Sequence, residues 1–202
     1  MKAEDLKNYD ITLIIDKSGS MATDDCQGGM TRWQAAKESA IALGQAAAKY
    51  DSDGITIVPF ASKWKIYPNV TPDKIAQIFE ENDPMGSTNT SGVLEAIFND
   101  YFTRKASGCK PLIVQVITDG SPDSKSQLKS VIIAATKRMD KDEELAVQFI
   151  QIGHDSSVPD FLKELDDDLE KQGAKFDIVD YKTSDEAEGI PLADLLIQAV
   201  TD

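Results

Sequence analysis

Long apolar runs, paired cysteines and an excess of basic residues are all missing from this chain of 202 residues. No stretch approaches the roughly 20 consecutive apolar residues that a membrane-spanning helix needs, so none is predicted. The opening residues, MKAEDLKNYD, contain no apolar run after the first lysine and no small-residue cleavage motif. The sequence therefore gives no indication of a signal peptide.

The two cysteines, Cys26 and Cys109, do not belong to a C-x-x-C pair. We predict two free thiols in a reducing compartment, which favours a cytoplasmic location. The chain has 35 Asp and Glu residues against 21 Lys and Arg residues, and its formal charge is −14. This charge disfavours binding to nucleic acid or to an anionic membrane, and it favours a monomer.

Short apolar runs alternate with longer segments of helical periodicity, a pattern typical of a parallel sheet covered by helices. Residues 11–15 and 112–117 are almost unbroken apolar runs, which predicts two central strands buried on both faces. Alternating residues at 63–67 predict a short antiparallel edge strand. We predict further strands at 55–60, 146–152 and 176–181, and helices near 31–50, 90–102, 128–139, 158–169 and 192–200.

These elements predict one α/β domain over residues 1–202, with a mostly parallel sheet, one antiparallel edge strand and helices on both faces. The helix near 31–50 has a mostly Ala and Gly inner face, which predicts close packing. Its small residues are Ala36, Ala40, Gly44 and Ala47.

An acidic residue follows each of the two central strands, Asp16 after the first and Asp119 after the second. Ligands of an open parallel sheet bind outside the carboxyl ends of its strands, so we expect the two acids to share one site. Two close carboxylates must take up a proton or hold a cation. Ser18 and Ser20 can reach the same centre because Gly19 permits a sharp turn. Hydroxyl and carboxylate oxygens are hard ligands, which predicts Mg²⁺ or Mn²⁺.

The segment Asp16-Lys17-Ser18-Gly19-Ser20 resembles the D-x-S-x-S motif of the von Willebrand factor A (vWA) domain. In that family a Thr from a second loop and an Asp from a third complete a metal-ion-dependent adhesion site. Thr88 matches the second loop and Asp119 the third. The resemblance extends over nearly the whole chain and is greatest to stand-alone bacterial or phage-type members. It implies a Rossmann-like vWA fold.

The resemblance also implies a role for each site residue. Ser18 and Ser20 would coordinate the cation directly, and Asp16 would act mainly through water. Thr88 and Asp119 would exchange between direct and water-mediated contact. A Glu or Asp carboxylate of a protein partner would fill the remaining position. The sequence does not separate Mg²⁺ from Mn²⁺ or Ca²⁺. Ser87 stands where many family members have glycine.

Two other functions are compatible with these residues. One is a Mg²⁺-dependent phosphoryl-transfer enzyme on a similar sheet, and the other is a scaffold whose metal is purely structural. The sequence contains neither a Walker-type G-x-x-x-x-G-K-S loop nor G-x-G-x-x-G, so nucleotide binding lacks its usual phosphate-binding loop. We therefore predict a metal-dependent protein-binding module and no enzymatic activity.

Three further segments carry weaker signals. The polar, Gly-containing loop at 21–30 follows the first metal loop, so we expect it to influence which partner fits. Within it, Asp24 and Asp25 predict a solvated acidic loop. His154, the only histidine, is predicted to be a structural loop residue. The acidic stretch at 184–189 predicts a loop.

Overall fold

The computed structural model describes residues 3–49, 54–153, 159–187, 190 and 192–201. Within this part of the chain, six strands form one sheet. They are β1 (Asp10–Asp16), β2 (Ile55–Phe60), β3 (Tyr67–Val70), β4 (Leu112–Thr118), β5 (Leu145–Gln151) and β6 (Val179–Thr183). The α-helices are α1 (Arg32–Ala47), α2 (Pro72–Glu80), α3 (Thr90–Lys105), α4 (Lys125–Thr136), α5 (Pro159–Asp167), α6 (Ser184–Ala187) and α7 (Leu192–Thr201).

The strand order in the sheet is β3-β2-β1-β4-β5-β6. All neighbouring strands are parallel except β3, which pairs antiparallel with β2 at one edge. The chain leaves β1 towards β2 and β3 and then returns to β4 on the other side of β1. The strand order therefore reverses between β1 and β4, where an open sheet leaves a crevice for a ligand. The predicted α/β fold is confirmed.

The sheet is buried on both faces by two separate hydrophobic clusters. Along β1, Ile14 contributes to one cluster, whereas Leu13 and Ile15 contribute to the other. The first cluster packs the sheet against α3, α4 and α5, and the second packs it against α1, α2 and α7. Successive side chains of a strand point to opposite faces, so a strand covered on both sides must be apolar throughout. No described helix combines the length and the apolar character needed to cross a membrane.

The small residues of α1 allow close packing, but against two different neighbours. Ala36 and Ala40 are fully buried in the cluster beneath the sheet. Gly44 lies against α2, because a Cβ atom at this position would stand 2.3 Å from Ile75 Cδ1. The predicted inner face is therefore divided between the sheet and α2.

A row of polar side chains crosses the sheet beneath α7. Gln115 Nε2 donates to Gln148 Oε1 at 2.8 Å, and Gln148 Nε2 donates to Asp180 Oδ2 at 2.7 Å. Gln148 Nε2 also donates to the backbone oxygen of Leu195 in α7 at 3.0 Å. All three polar side chains are buried. Their mutual hydrogen bonds satisfy groups that would otherwise be costly to bury.

Several element boundaries differ from the prediction. The edge strand is not at 63–67, because Trp64 forms an isolated antiparallel bridge with Phe60 and the strand begins only at Tyr67. The last strand is not at 176–181 but at Val179–Thr183, where its pairing with β5 begins at Val179.

The predicted loop at 184–189 contains a short helix, α6. The Glu186 carboxylate accepts from the backbone N–H of Thr183 at 2.9 Å, and the Thr183 hydroxyl accepts from the N–H of Glu186 at 3.1 Å. This reciprocal pair is a capping box, which fixes the start of a helix.

Candidate metal site

The first acid of the candidate site is held at the carboxyl end of β1. Asp16 Oδ1 accepts a hydrogen bond from the backbone N–H of Ser18 at 2.7 Å, and Oδ2 accepts from the Thr118 hydroxyl at 2.7 Å. Thr118 is the last residue of β4, so the carboxylate is oriented by its own loop and by the neighbouring strand. The Asp16 side chain is fully buried.

A chain of side-chain hydrogen bonds joins the first loop to the residue that follows β4. Ser18 Oγ lies 3.1 Å from Ser20 Oγ, and Ser20 Oγ donates to Asp119 Oδ1 at 3.0 Å. Asp119 is fully buried and Ser18 nearly so, whereas Ser20 is exposed. The structure therefore links three of the five predicted ligands through their side chains and Asp16 through the backbone N–H of Ser18, with Ser20 on the side open to solvent.

The loop that carries the fifth predicted ligand, Thr88, is tied to the first loop by backbone hydrogen bonds. Gly19 N–H donates to the carbonyl of Gly86 at 3.2 Å, and Met85 N–H donates to the carbonyl of Lys17 at 2.7 Å. The Thr88 side chain is buried at this junction. The second loop thus lies beside the first, as the sequence predicted.

Asp123 is a site residue that the sequence reasoning missed. Its carboxylate accepts from the backbone N–H of Thr88 at 3.0 Å and from the Ser87 hydroxyl at 2.9 Å. Its own N–H donates to the carbonyl of Thr88 at 2.9 Å. Asp123 therefore fixes the backbone of the second loop, and Ser87 adds an anchor that a glycine would lack. The only signal in the sequence was its position shortly after Asp119.

Arg32, at the start of α1, is a second residue that the sequence reasoning missed. Its Nη1 donates to Asp119 Oδ2 at 2.7 Å. Its Nε and Nη2 donate to the two carboxylate oxygens of Asp25 at 2.9 and 2.6 Å. The predicted solvated loop is correct for the exposed Asp24 and wrong for Asp25, which is partly buried in this ion pair. A guanidinium presents donors in a planar fork, so one Arg can hold two carboxylates.

The surrounding backbone fixes the position of Arg32. Thr31 caps α1 with its hydroxyl, which accepts from the N–H of Gln34 at 3.1 Å. Arg32 N–H donates to the carbonyl of Thr23 at 2.9 Å. The guanidinium lies over Gly153, where a Cβ atom would stand 2.4 Å from Arg32 Nε. His154, the next residue, lies outside the described residues.

Burial dominates the electrostatics of the site. It raises the pKa of Asp16 to about 6, although hydrogen bonds from Ser18 and Thr118 lower it, and the nearby Asp119 raises it slightly. The hydrogen bonds to Asp25 raise the pKa of Arg32 above its usual value, so the guanidinium stays charged. A buried carboxylate with a raised pKa gains from a nearby cation.

The donor set fits a hard divalent cation. Among the described residues, no three His, Cys, Asp or Glu side chains are grouped so that they could share an ion. Any cation here must therefore combine the carboxylates with hydroxyl oxygens. Ser18 and Ser20 supply hydroxyls beside the acids Asp16 and Asp119, and the loop that carries Thr88 lies next to theirs. Oxygen-only donors suit Mg²⁺, Mn²⁺ or Ca²⁺.

Several solved structures have a similar fold, and one of them is described as manganese-loaded. An aerotolerance-related membrane protein from Bacteroides fragilis, crystallised with multiple mutations to serines, gives a TM-score of 0.60 at 15% identity over 96% of this chain and 98% of that chain. The manganese-loaded TRAP protein of Plasmodium vivax gives a TM-score of 0.58 at 16% identity, over 90% of this chain and 71% of that chain. The SpRpn10 VWA domain gives 0.58 at 13% identity over 94% of both. These likenesses show the fold alone.

Sequence comparisons identify the family of the chain. No curated protein sequence matches the chain. A family model described as "vWA found in TerF C terminus" matches residues 8–201. Together with the strand order and the helices on both faces, this match means that the chain belongs to the vWA-TerF-like family of von Willebrand factor A domains.

Proposed function

We propose that this chain is a protein-binding module that uses one divalent cation to engage a carboxylate of its partner. The cation would be Mg²⁺, Mn²⁺ or Ca²⁺. The residues proposed to hold it are Asp16, Ser18, Ser20, Thr88 and Asp119.

One observation carries the proposal more than any other. The Ser20 hydroxyl lies 3.1 Å from the Ser18 hydroxyl and 3.0 Å from the Asp119 carboxylate. Asp119 lies 99 residues beyond Ser20 in the chain. Oxygen atoms this close can share one small ion. The buried Asp16, whose pKa is raised, lies beside them and accepts hydrogen bonds from two uncharged groups, the Ser18 N–H and the Thr118 hydroxyl.

The exposure pattern supports a partner-binding role. The two acids are fully buried, whereas Gly19, Ser20 and Ser87 are exposed on the solvent side. A dication is formally neutralised by two carboxylates, yet hydroxyl ligands donate weakly, so it still attracts a third anionic oxygen. A partner's Glu or Asp could therefore reach the ion from solvent. The TRAP protein of this fold was crystallised with manganese, which also supports a hard divalent ion.

The hydrogen bonds of the acids hold both carboxylates in fixed positions, as the ligands of one ion must be. Both oxygens of Asp16 accept bonds, from Ser18 and Thr118. Both oxygens of Asp119 also accept bonds, from Ser20 and Arg32. Phosphoryl transfer also needs groups that bind the phosphate, and the sequence contains no G-x-x-x-x-G-K-S loop. We therefore propose that the chain is not a phosphoryl-transfer enzyme.

We also propose that the protein works in a reducing, cytoplasmic compartment. Cys26 and Cys109 are free thiols in the structure, as the sequence predicted. Disulfides form readily in oxidising compartments, so unpaired cysteines fit a reducing one better.

The first experiment measures metal binding without any partner. Mg²⁺ and Mn²⁺ are titrated by calorimetry into wild type, Asp16→Asn and the matched control Asp24→Asn, which changes the net charge equally on the exposed loop. We expect saturable binding to wild type and to the control, and none to Asp16→Asn. Equal binding to all three proteins, or binding to none, would reject the site.

The second experiment tests the role of the ion. Wild type and Asp16→Asn serve as bait for extracts of the native cell, with Mg²⁺ or with EDTA. We expect a partner that is captured only by wild type in Mg²⁺ and whose capture is lost when one of its acidic residues is replaced. If the protein binds Mg²⁺ normally but captures the same partner in EDTA as in Mg²⁺, the result would favour a purely structural metal. Turnover of a phosphatase substrate that is lost in Asp119→Asn would favour an enzyme.

A further inference from the structure

Arg32 joins the candidate metal site to the loop at 21–30. One edge of its guanidinium holds Asp119 at 2.7 Å, and the other holds both oxygens of Asp25 at 2.9 and 2.6 Å. The Arg32 side chain is only 11% exposed and that of Asp119 is fully buried. The Arg32–Asp119 pair is thus shielded from solvent, which strengthens its charge interaction, whereas the Arg32–Asp25 pair is only partly buried because the Asp25 side chain is 30% exposed.

Arg32 has two opposite effects on a cation at the site. By holding Asp119 Oδ2, it leaves Oδ1 directed at Ser20 and hence at the proposed ion. Its positive charge, however, repels a dication that uses the same carboxylate. Asp25 offsets this repulsion because it lies on the far side of the guanidinium and balances its charge. Arg32 and Asp25 therefore act on the affinity of the ion in opposite directions.

Backbone hydrogen bonds also hold the loop in place. Arg32 N–H donates to the carbonyl of Thr23 at 2.9 Å, and Cys26 N–H donates to the carbonyl of Met30 at 3.2 Å. Between them, Gly28 and Gly29 have positive φ angles of 75° and 73°. Most of the loop residues between 22 and 29 are exposed. The Asp25 carboxylate ties this exposed part of the loop to the Arg32 side chain in α1, so the guanidinium contributes to the position of the loop.

We propose that Arg32 is a positioning residue that couples the cation site to the loop at 21–30. This inference rests on the proposed function, since it needs a cation at Asp119. A bound dication and Arg32 share the Asp119 carboxylate, so binding of the ion weakens the hold of Arg32 and loosens the loop beside the partner-binding side. By linkage, loss of the contact between Arg32 and Asp119 favours the ion to the same extent that the ion weakens this contact.

The test combines calorimetry with hydrogen exchange on the intact chain. Mg²⁺ affinity is measured for wild type, Arg32→Gln, Arg32→Lys, Asp25→Asn and the double variant Arg32→Gln/Asp25→Asn. Asp24→Asn is the matched control, because it removes an exposed acid from the same loop. Amide exchange of the peptide covering the loop is measured for each protein with and without Mg²⁺. Circular dichroism verifies that every variant is folded.

We expect Arg32→Gln to bind Mg²⁺ about fivefold more tightly and Asp25→Asn about fivefold more weakly, because removing a charge near a dication changes the Coulomb energy by that order. In the Arg32→Gln background, Asp25→Asn should have a smaller effect, because the guanidinium that holds the Asp25 carboxylate near the site is gone. Arg32→Lys keeps the positive charge but loses the planar guanidinium that holds two carboxylates at once. Its Mg²⁺ affinity should therefore stay within about twofold of wild type, while the amides of the loop exchange faster.

In wild type and in Asp24→Asn, Mg²⁺ should speed amide exchange in the loop. In the Arg32 and Asp25 variants, exchange should already be fast without Mg²⁺ and should not change on its addition. Wild-type affinity in both Arg32→Gln and Asp25→Asn, with unchanged loop exchange, would overturn the coupling alone. Absence of Mg²⁺ binding in wild type would reject the proposed function and the coupling together, so the two failures are distinguishable.

Discussion

Replacing Asp16 with asparagine should stabilise the protein when no divalent cation is present. A rise in the pKa of Asp16 from 3.8 to about 6 corresponds to about 3 kcal/mol of stability that is lost at neutral pH. Because the folded state holds the proton of Asp16 more tightly than the unfolded state does, this contribution to the free energy of unfolding is fully present below about pH 4. It is lost as the pH rises through about 6. Asparagine removes the charge from the buried position.

The hydrogen bonds of Asp16 can survive this change. The asparagine oxygen can accept from Ser18 N–H, and the amide nitrogen can donate to the Thr118 hydroxyl, which also lies 3.4 Å from the carbonyl of Gly120. We therefore expect the free energy of unfolding at pH 7.5 to rise by about 2 kcal/mol, somewhat less than the full electrostatic gain because the new bonds are uncharged.

Urea unfolding measures the effect. Wild type, Asp16→Asn and the control Asp24→Asn are compared at pH 7.5 and pH 5, in EDTA and in Mg²⁺. In EDTA the advantage of Asp16→Asn should shrink at pH 5, where wild-type Asp16 takes up a proton. In Mg²⁺ it should shrink as well, because only wild type is stabilised by binding the ion. If Asp16→Asn is less stable than wild type in EDTA at pH 7.5, the reasoning is refuted.

Two further predictions concern the affinity of the ion and the polar row beneath α7. The Mg²⁺ affinity of wild type should fall about fourfold between pH 7.5 and 5.5, since protons compete for Asp16 through its pKa of about 6, and a pH-independent constant in calorimetry would contradict this competition. Gln148→Leu should lower the free energy of unfolding by about 3 kcal/mol, because Gln115 and Asp180 lose their buried partner. Mg²⁺ binding should be unaffected in that variant, and urea unfolding beside calorimetry separates the two effects.

The sequence was sufficient for the features that depend on local pattern. The apolar runs that became β1 and β4 are long enough to be recognised alone, and both are buried on two faces. Asp16, Ser18 and Ser20 lie within five residues, so a single loop displays them. Asp119 could be added because parallel strands end at the same edge of a sheet.

What the sequence did not reveal depends on contacts between distant segments. Arg32 and Asp119 are 87 residues apart, and Asp123 and Thr88 are 35 residues apart. No periodicity connects such pairs. The edge strand was misplaced for a related reason, since alternation at 63–67 is compatible with a strand but the pairing with β2 is made from Tyr67 onwards. By contrast, the capping box of Thr183 and Glu186 was visible in the sequence and could have predicted α6.

Anomalous diffraction from crystals soaked in Mn²⁺ tests the central claim most directly, because it locates the ion without any partner or activity. The expected result is one strong peak between about 2.0 and 2.6 Å from Ser18 Oγ and Ser20 Oγ, beside Asp16 and Asp119. The peak should be absent from Asp16→Asn crystals. Ordered wild-type crystals with no peak at this position, or with manganese only on surface acids such as Asp24, would contradict the account.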